Sequence, residues 1–156
     1  YAASTFFAVD RYASYVKVWR DFYRNDGIVL SDRYTTSNAV HQASKLEEGE
    51  REQFFRWLSD FEYSLLGLPA PDLVLYMDMP FESAVELMRR REAASGSAAD
   101  IHEADEGYLG LCRETGIQAA GYYGWNVIDC VRDGEIRSIE DIHSQIYALV
   151  SERLSK

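Results

Sequence analysis

Cysteine, positive charge and long apolar runs are all scarce in this sequence. Its two cysteines, Cys112 and Cys130, are too few for a disulfide framework and lack the spacing of metal ligands, so we expect reduced thiols in a cytoplasmic protein. Lys and Arg number 16 against 26 Asp and Glu, and the net charge of -10 disfavours nucleic acid or an anionic membrane as a partner. No run approaches about 18 consecutive apolar residues and no signal-peptide pattern occurs, so neither a membrane span nor export is predicted.

The residues that are present predict one α/β domain. A hydrophobic fraction of 47% over 156 residues is enough for one sizeable core. Short apolar runs predict buried strands at 28–32, 72–78 and 125–131, "IVLSD", "DLVLYMD" and "WNVIDCV". Apolar periodicity predicts helices over 2–24, 36–46, 48–66, about 81–91, about 102–123 and after Ser138. Strands separated by long helices indicate a parallel sheet, which binds ligands at the carboxyl ends of its strands.

The pair Asp32-Arg33 stands at the end of the first predicted strand. Arg33 offers a planar fork of donors suited to phosphate oxygens, and Asp32 is suited to holding a magnesium ion through water. A carboxylate and a guanidinium are a minimal set for phosphoryl transfer. The alternative is a strand-end salt bridge without a catalytic task.

Two further patterns carry possible chemistry. Arg89, Arg90 and Arg91 precede "EAASGSAAD" (92–100), which is typical of a mobile loop and predicts an arginine-bearing lid over a polyphosphate. Cations that favour a helix C-terminus are the alternative. Phe7 precedes Arg11 by one helical turn, so a ring and a guanidinium share a face that suits a base, unless the ring belongs to the core.

In their order along the chain, these segments resemble thymidylate kinase of the bacterial type. The segments are "FFAVDRYASY", "IVLSDRYTTSNAVHQ", "PDLVLYMDMP", "LMRRR" and "DIHEAD". The resemblance covers nearly the whole chain and implies a P-loop nucleoside monophosphate kinase fold, a parallel sheet flanked by helices, here without its first strands. Residues 1–156 would be the C-terminal major part of one such domain, with a lid loop at about 91–101. The implied reaction moves the γ-phosphoryl group of ATP to dTMP with Mg²⁺ and gives dTDP.

The resemblance also implies roles for individual residues. Phe7 would stack on thymine, and Arg11 would reach a base carbonyl or the acceptor phosphate. Arg33 would bind that phosphate while Asp32 orients magnesium-bound water. Ser37 and Asn38 would line the base and sugar pocket. Glu103 would close over sugar and metal, and Arg89 with Arg91 would clamp phosphates.

Three departures from the family pattern stand out. His41 replaces the tyrosine that usually lies against the deoxyribose, with a polar core or rim histidine as the alternative. The lid has no arginine between residue 91 and "DIHE", which leaves open which arginine is catalytic. No G-x-x-x-x-G-K-[ST] phosphate loop occurs. We therefore expect about sixty preceding residues in a longer protein and no turnover by residues 1–156 alone.

Two alternatives remain open at the level of function. One is a deoxynucleoside kinase, which also has an acid–arginine pair at this strand end. The other is a non-catalytic nucleotide-binding module that lacks the phosphate loop. The expected partners are the small-molecule nucleotides dTMP and ATP, and the aromatic-rich helices are compatible with a homodimer.

Overall fold

The chain forms two compact units, Tyr1–Ala70 and Pro71–Lys156. The computed structural model describes residues 1–95 and 106–155. The first unit is helical, whereas the second combines helices with short strands. Each unit is described by itself below.

The first unit opens with the helix that the sequence predicts over 2–24. It consists of α1 (Ala2–Ser14), a π-helical stretch (Tyr15–Trp19) and α2 (Arg20–Arg24). Its buried residues are Ser4, Ala8 and Tyr15, whose spacing forms one stripe along the helix. Larger apolar residues of this helix are exposed, namely Phe6, Phe7, Val9 and Phe22. The buried stripe of this helix thus consists of two small residues and one tyrosine.

The predicted strand at 28–32 is wrong. These residues lack regular secondary structure, and Ile28 and Leu30 are 69% and 96% exposed. A strand needs a partner that pairs with its backbone, and no residue of Tyr1–Ala70 is in a strand. Apolar, β-branched composition alone therefore does not make this segment a strand.

The other two helices predicted for the first unit are present. They are α3 (Thr36–His41) with a 3₁₀ turn (Ala43–Lys45), and α4 (Glu48–Ser59) with a π-helical extension (Asp60–Leu65). Phe54, Phe55 and Leu58 form the core, as the periodicity indicates. Leu65 is 74% exposed, because the wider π turns change which residues face inward.

The second unit is built around a small parallel sheet. Strand β1 (Leu75–Asp78) pairs with β2 (Asn126–Asp129), and Met77 lies opposite Ile128. Two helices connect the strands, α5 (Phe81–Ser95) and α6 (Glu106–Tyr123). The predicted α/β class with a parallel sheet flanked by helices is thus present, with two of the three expected strands.

A hairpin and a capped helix complete the second unit. Strands β3 (Val131–Arg132) and β4 (Glu135–Ile136) are joined by Asp133 and Gly134, both of which have positive φ. That geometry is typical of Asp-Gly hairpin turns. The Ser138 hydroxyl accepts a hydrogen bond from the backbone N–H of Asp141 and caps α7 (Ile139–Leu154), as predicted.

Only part of the predicted lid lies within the described residues. Residues 92–95 belong to α5 instead of a loop, whereas 96–101 lie outside the described residues. Cys112 and Cys130 are buried and belong to no disulfide, which agrees with the expectation of reduced cysteines. Over residues 1–95 and 106–155, no helix combines the length and apolar character that a membrane crossing requires.

Candidate functional site

Arg11 lies at the centre of a polar cluster in the first unit. From α1, its Nη1 donates to Oε2 of Glu62 at 2.6 Å, and its Nη2 donates to the Tyr34 carbonyl at 2.9 Å. Its guanidinium also lies 5.4 Å from the centre of the Tyr34 ring, a distance that suits a cation–π contact. These contacts hold the guanidinium in one orientation beside the segment that follows Arg33.

Asn38 joins the same cluster from α3. Its Nδ2 donates to Oε1 of Glu62 at 3.1 Å and, over a longer distance of 3.4 Å, to the Ser4 carbonyl. The residue is 3% exposed. The two oxygens of one carboxylate therefore link α1 and α3, the two helices that carry the predicted base-binding residues.

The cluster around Glu62 is electrostatically unusual because the carboxylate is fully buried. Burial raises the pKa of Glu62, and the Arg11 guanidinium and the Asn38 amide lower it by less. Burial likewise raises the pKa of Tyr34 and Tyr63, so both phenols stay protonated. The Tyr63 hydroxyl forms a short hydrogen bond with the Thr35 hydroxyl.

Arg33 occupies a strained backbone position at the edge of this unit. Its φ of 66° lies in the left-handed region, which costs free energy for a side chain of this size. Its Nη2 lies 2.9 Å from Nε2 of His41, and because a guanidinium has no acceptor, the imidazole nitrogen must accept. The structure thus pairs the predicted phosphate ligand with the histidine that replaces the family's tyrosine.

The other predicted residues of this unit are accessible to different degrees. Phe7 lies one helical turn before Arg11 and is 54% exposed, so its ring is not a core residue. Asp32 is exposed and Ser37 is half-buried. A ring, two guanidinium groups, an amide and a carboxylate thus lie on α1, α3 and the segment between α2 and α3.

Three predicted site residues are not part of this cluster. Arg89 and Arg91 are exposed residues of α5 in the second unit. Glu103 lies outside the described residues. The structure therefore leaves the predicted roles of these three residues untested.

In the second unit, Asp78 at the end of β1 binds Arg113 of α6. The Nε and Nη2 atoms of Arg113 each donate to one carboxylate oxygen of Asp78 at 2.7 Å. Such a two-pronged pair is strong and orients both side chains. The sequence places Asp78 at a strand end, where ligands often bind, but gives no indication of this partner.

Within the part of the chain that is described, no group of three or more His, Cys, Asp or Glu is arranged to hold a metal ion. A single exposed carboxylate such as Asp32 fits a hydrated magnesium ion, which takes one or two carboxylates and keeps several waters. It does not fit an ion enclosed by protein ligands.

Sequence reasoning missed Glu62, which the structure places between two predicted ligand residues. A signal for it exists in the chain. Glu62 follows Leu58 by four residues on the stripe that includes Phe54 and Phe55, so a carboxylate interrupts an otherwise apolar helix face. Charged residues are rarely fully buried without a partner, and such an interruption predicts one.

Comparison with known proteins gives one consistent answer. The thymidylate kinase of Mycobacterium tuberculosis is 36% identical over 106 residues, which cover 67% of this chain and 49% of that protein. A probable thymidylate kinase of Methanococcus maripaludis is 26% identical over 149 residues, 95% of this chain and 67% of the relative. One of Thermococcus onnurineus is 27% identical over 158 residues, 99% of this chain and 67% of the relative. No protein-family model matches the chain.

These matches confirm the resemblance to thymidylate kinases that the sequence motifs indicate. The chain spans about half the length of the mycobacterial relative, at 49%, and more of the archaeal ones, at 67%. The similarity thus concerns a large part of each relative and not its whole length.

Proposed function

We propose that this chain, a relative of the thymidylate kinases, serves the same reaction and transfers the γ-phosphoryl group of ATP to dTMP. The observation that carries the proposal is the 36% identity over 106 residues to the mycobacterial thymidylate kinase. A bond forms between a phosphate oxygen of dTMP and the γ-phosphorus, the bond from that phosphorus to its bridging oxygen breaks, and dTDP and ADP result. We assign the chain to the P-loop nucleoside monophosphate kinase fold on the same grounds.

We assign recognition of the base to the first unit. The exposed Phe7 ring would stack on thymine, and Arg11 would donate to a base carbonyl. Asn38 and Ser37 would line the base and sugar pocket, with His41 beside the deoxyribose. The fixed orientation of Arg11, which Glu62 and Tyr34 hold, supports this assignment because a base edge is recognised by donors in set directions.

We assign the acceptor phosphate to Arg33. Its Nη2 donates to an imidazole nitrogen of His41, and this contact does not neutralise the positive charge of the guanidinium. Phosphoryl transfer depends mainly on positioning and charge neutralisation, which a guanidinium supplies. Asp32 would hold water of a magnesium ion, whose chemistry is to neutralise charge on the phosphates.

The donor side of the reaction rests on the family resemblance alone. Arg89 and Arg91 would clamp the phosphates of ATP and the transferring group, and Glu103 would close over sugar and metal. Arg89 and Arg91 are exposed, as a clamp that acts on a bound ligand requires.

A substrate comparison tests the proposal. The complete gene product is incubated with MgATP and either dTMP or thymidine, and ADP release is followed. We expect dTMP to be used at least about a hundredfold faster, because a site built for a phosphate leaves its charges unpaired when the phosphate is missing. Preference for thymidine would indicate a deoxynucleoside kinase instead. Binding of dTMP without ADP release would indicate a non-catalytic module.

A further inference from the structure

Glu62 is a buried charge whose position is not explained by packing. Its side chain has no exposed surface, and it lies in the π-helical segment Asp60–Leu65 that continues α4. Replacing a buried ion pair by well-packed apolar residues is often neutral or stabilising. The buried carboxylate is therefore better explained by the side chains that it orients than by packing.

The two oxygens of Glu62 contact two different helices. Oε2 accepts from Nη1 of Arg11 at 2.6 Å, and Oε1 accepts from Nδ2 of Asn38 at 3.1 Å. An ionised carboxylate can only accept hydrogen bonds, so it turns the NH₂ group of Asn38 toward itself. The amide oxygen of Asn38 then faces the other way as an acceptor, while Arg11 retains donors.

One carboxylate thus holds both a guanidinium with remaining N–H donors and an amide whose oxygen is an acceptor, a pair of groups that matches one type of pyrimidine. Thymine and uracil present a carbonyl oxygen and an adjacent N3–H, so they accept from a guanidinium and donate to an amide oxygen. Cytosine presents the opposite order, with an amino group and an unprotonated N3.

We propose that Glu62 is a positioning residue that sets the pyrimidine specificity of the site by orienting Arg11 and Asn38. It selects a base with a 4-keto group and N3–H, and it does so without touching the substrate. The inference rests on the proposed function because it takes a pyrimidine nucleoside monophosphate as the substrate.

Glu62→Gln tests this role because it keeps the size of the side chain and replaces one acceptor by a donor. A glutamine can donate to the Asn38 oxygen and so allows the amide to turn. We expect kcat/KM for dTMP and dUMP to fall by at least about tenfold, while that for dCMP does not fall, so that the preference shrinks. Asp141→Asn makes the same chemical change at the carboxylate 2.6 Å from Arg137 in the second unit, and it should leave the preference unchanged.

The outcomes separate this inference from the proposed function. A wild-type complete gene product that does not phosphorylate dTMP overturns both. Wild-type turnover with equal losses for dTMP and dCMP in Glu62→Gln, or with no loss, overturns the specificity role alone. Glu62→Asp covers the case in which the glutamine variant does not fold. It keeps an ionised acceptor and should weaken dTMP binding while it retains the preference, and loss of the preference would contradict the inference.

Discussion

At the scale of single residues, the two candidate arginines Arg11 and Arg33 differ in how much of their charge is neutralised. Arg11 forms an ion pair with the buried carboxylate of Glu62 at 2.6 Å. Arg33 contacts an imidazole nitrogen that accepts its hydrogen bond and so carries no proton. A phosphate dianion is therefore better matched by Arg33, whereas Arg11 is suited to an uncharged carbonyl. This division favours the base over the phosphate as the ligand of Arg11.

Phe7→Ala should weaken dTMP binding because it removes the proposed stacking surface. A base–aromatic stack contributes about 1–3 kcal/mol, so KM for dTMP should rise by about 5- to 150-fold. Stability should change little because the ring is 54% exposed. The neighbouring Phe6, which is 78% exposed, provides a matched control, since Phe6→Ala should leave KM unchanged. Equal effects of the two substitutions would argue against stacking by Phe7.

Glu62 also predicts a pH dependence of stability. Its pKa in the folded protein is raised above the ordinary value of 4.5, chiefly by burial, so the folded state keeps a proton that the unfolded state has lost. The contribution of Glu62 is fully present below the unfolded pKa and is lost as the pH rises through the folded pKa. The free energy of unfolding of the wild type, relative to Glu62→Gln, should therefore fall as the pH rises from the ordinary value of 4.5 through the raised pKa of the folded state. Urea denaturation of both proteins over this range measures it, and a constant difference would contradict the prediction.

At the scale of elements, the sequence predicts where the helices lie but not where their geometry departs from the α-helix. The helices over 2–24 and 48–66 are present, but each includes π-helical residues, Tyr15–Trp19 and Asp60–Leu65. The wider turns follow from hydrogen bonds such as the one from the Leu66 N–H to the Phe61 carbonyl, 3.0 Å long and five residues back. An α-helical pattern fitted to the sequence cannot locate such a change: it places Leu65 on the same face as the buried Leu58, whereas Leu65 is 74% exposed.

The packing of α6 on β1 predicts the effect of a substitution in the second unit. A Cβ atom at Gly116 would overlap the Tyr76 ring, whose hydroxyl donates to the Arg113 carbonyl at 3.4 Å. Burial raises the pKa of Tyr76 to about 12, so this donor stays protonated at neutral pH. Gly116→Ala should cost about 1–3 kcal/mol of stability.

Gly110 in the same helix is the control for Gly116. Nothing lies within 4 Å of a Cβ atom built there, so Gly110→Ala should be neutral or stabilise by up to about 1 kcal/mol. Thermal or urea denaturation of the two variants measures the difference. Equal stabilities would mean that Tyr76 moves aside without cost.

At the scale of the whole molecule, the sequence predicted the class of fold and most of the candidate residues but not their connections. Order and spacing locate Phe7, Arg11, Arg33 and Asn38, because these lie in contiguous motifs. The link through Glu62 joins residues 51 and 24 positions apart, which local spacing does not reveal. The strand at 28–32 failed for a similar reason, since pairing depends on a distant segment of backbone.

The net charge of -10 makes Arg33 the critical feature of the proposed site. In an acidic molecule, an anionic substrate is attracted by a local arrangement and not by the overall field. The central claim is therefore that Arg33 recognises the phosphate of dTMP.

Calorimetric titration of dTMP and thymidine into wild type and Arg33→Ala tests that claim most directly, because the two ligands differ only in the phosphate. We predict that wild type prefers dTMP and that Arg33→Ala weakens dTMP binding by about 10- to 150-fold, the loss of a charged hydrogen-bond partner, with thymidine nearly unaffected. Arg24→Ala, at an exposed arginine of α2, should change neither affinity. Equal weakening of dTMP and thymidine in Arg33→Ala, or an unchanged preference for dTMP, would contradict the account.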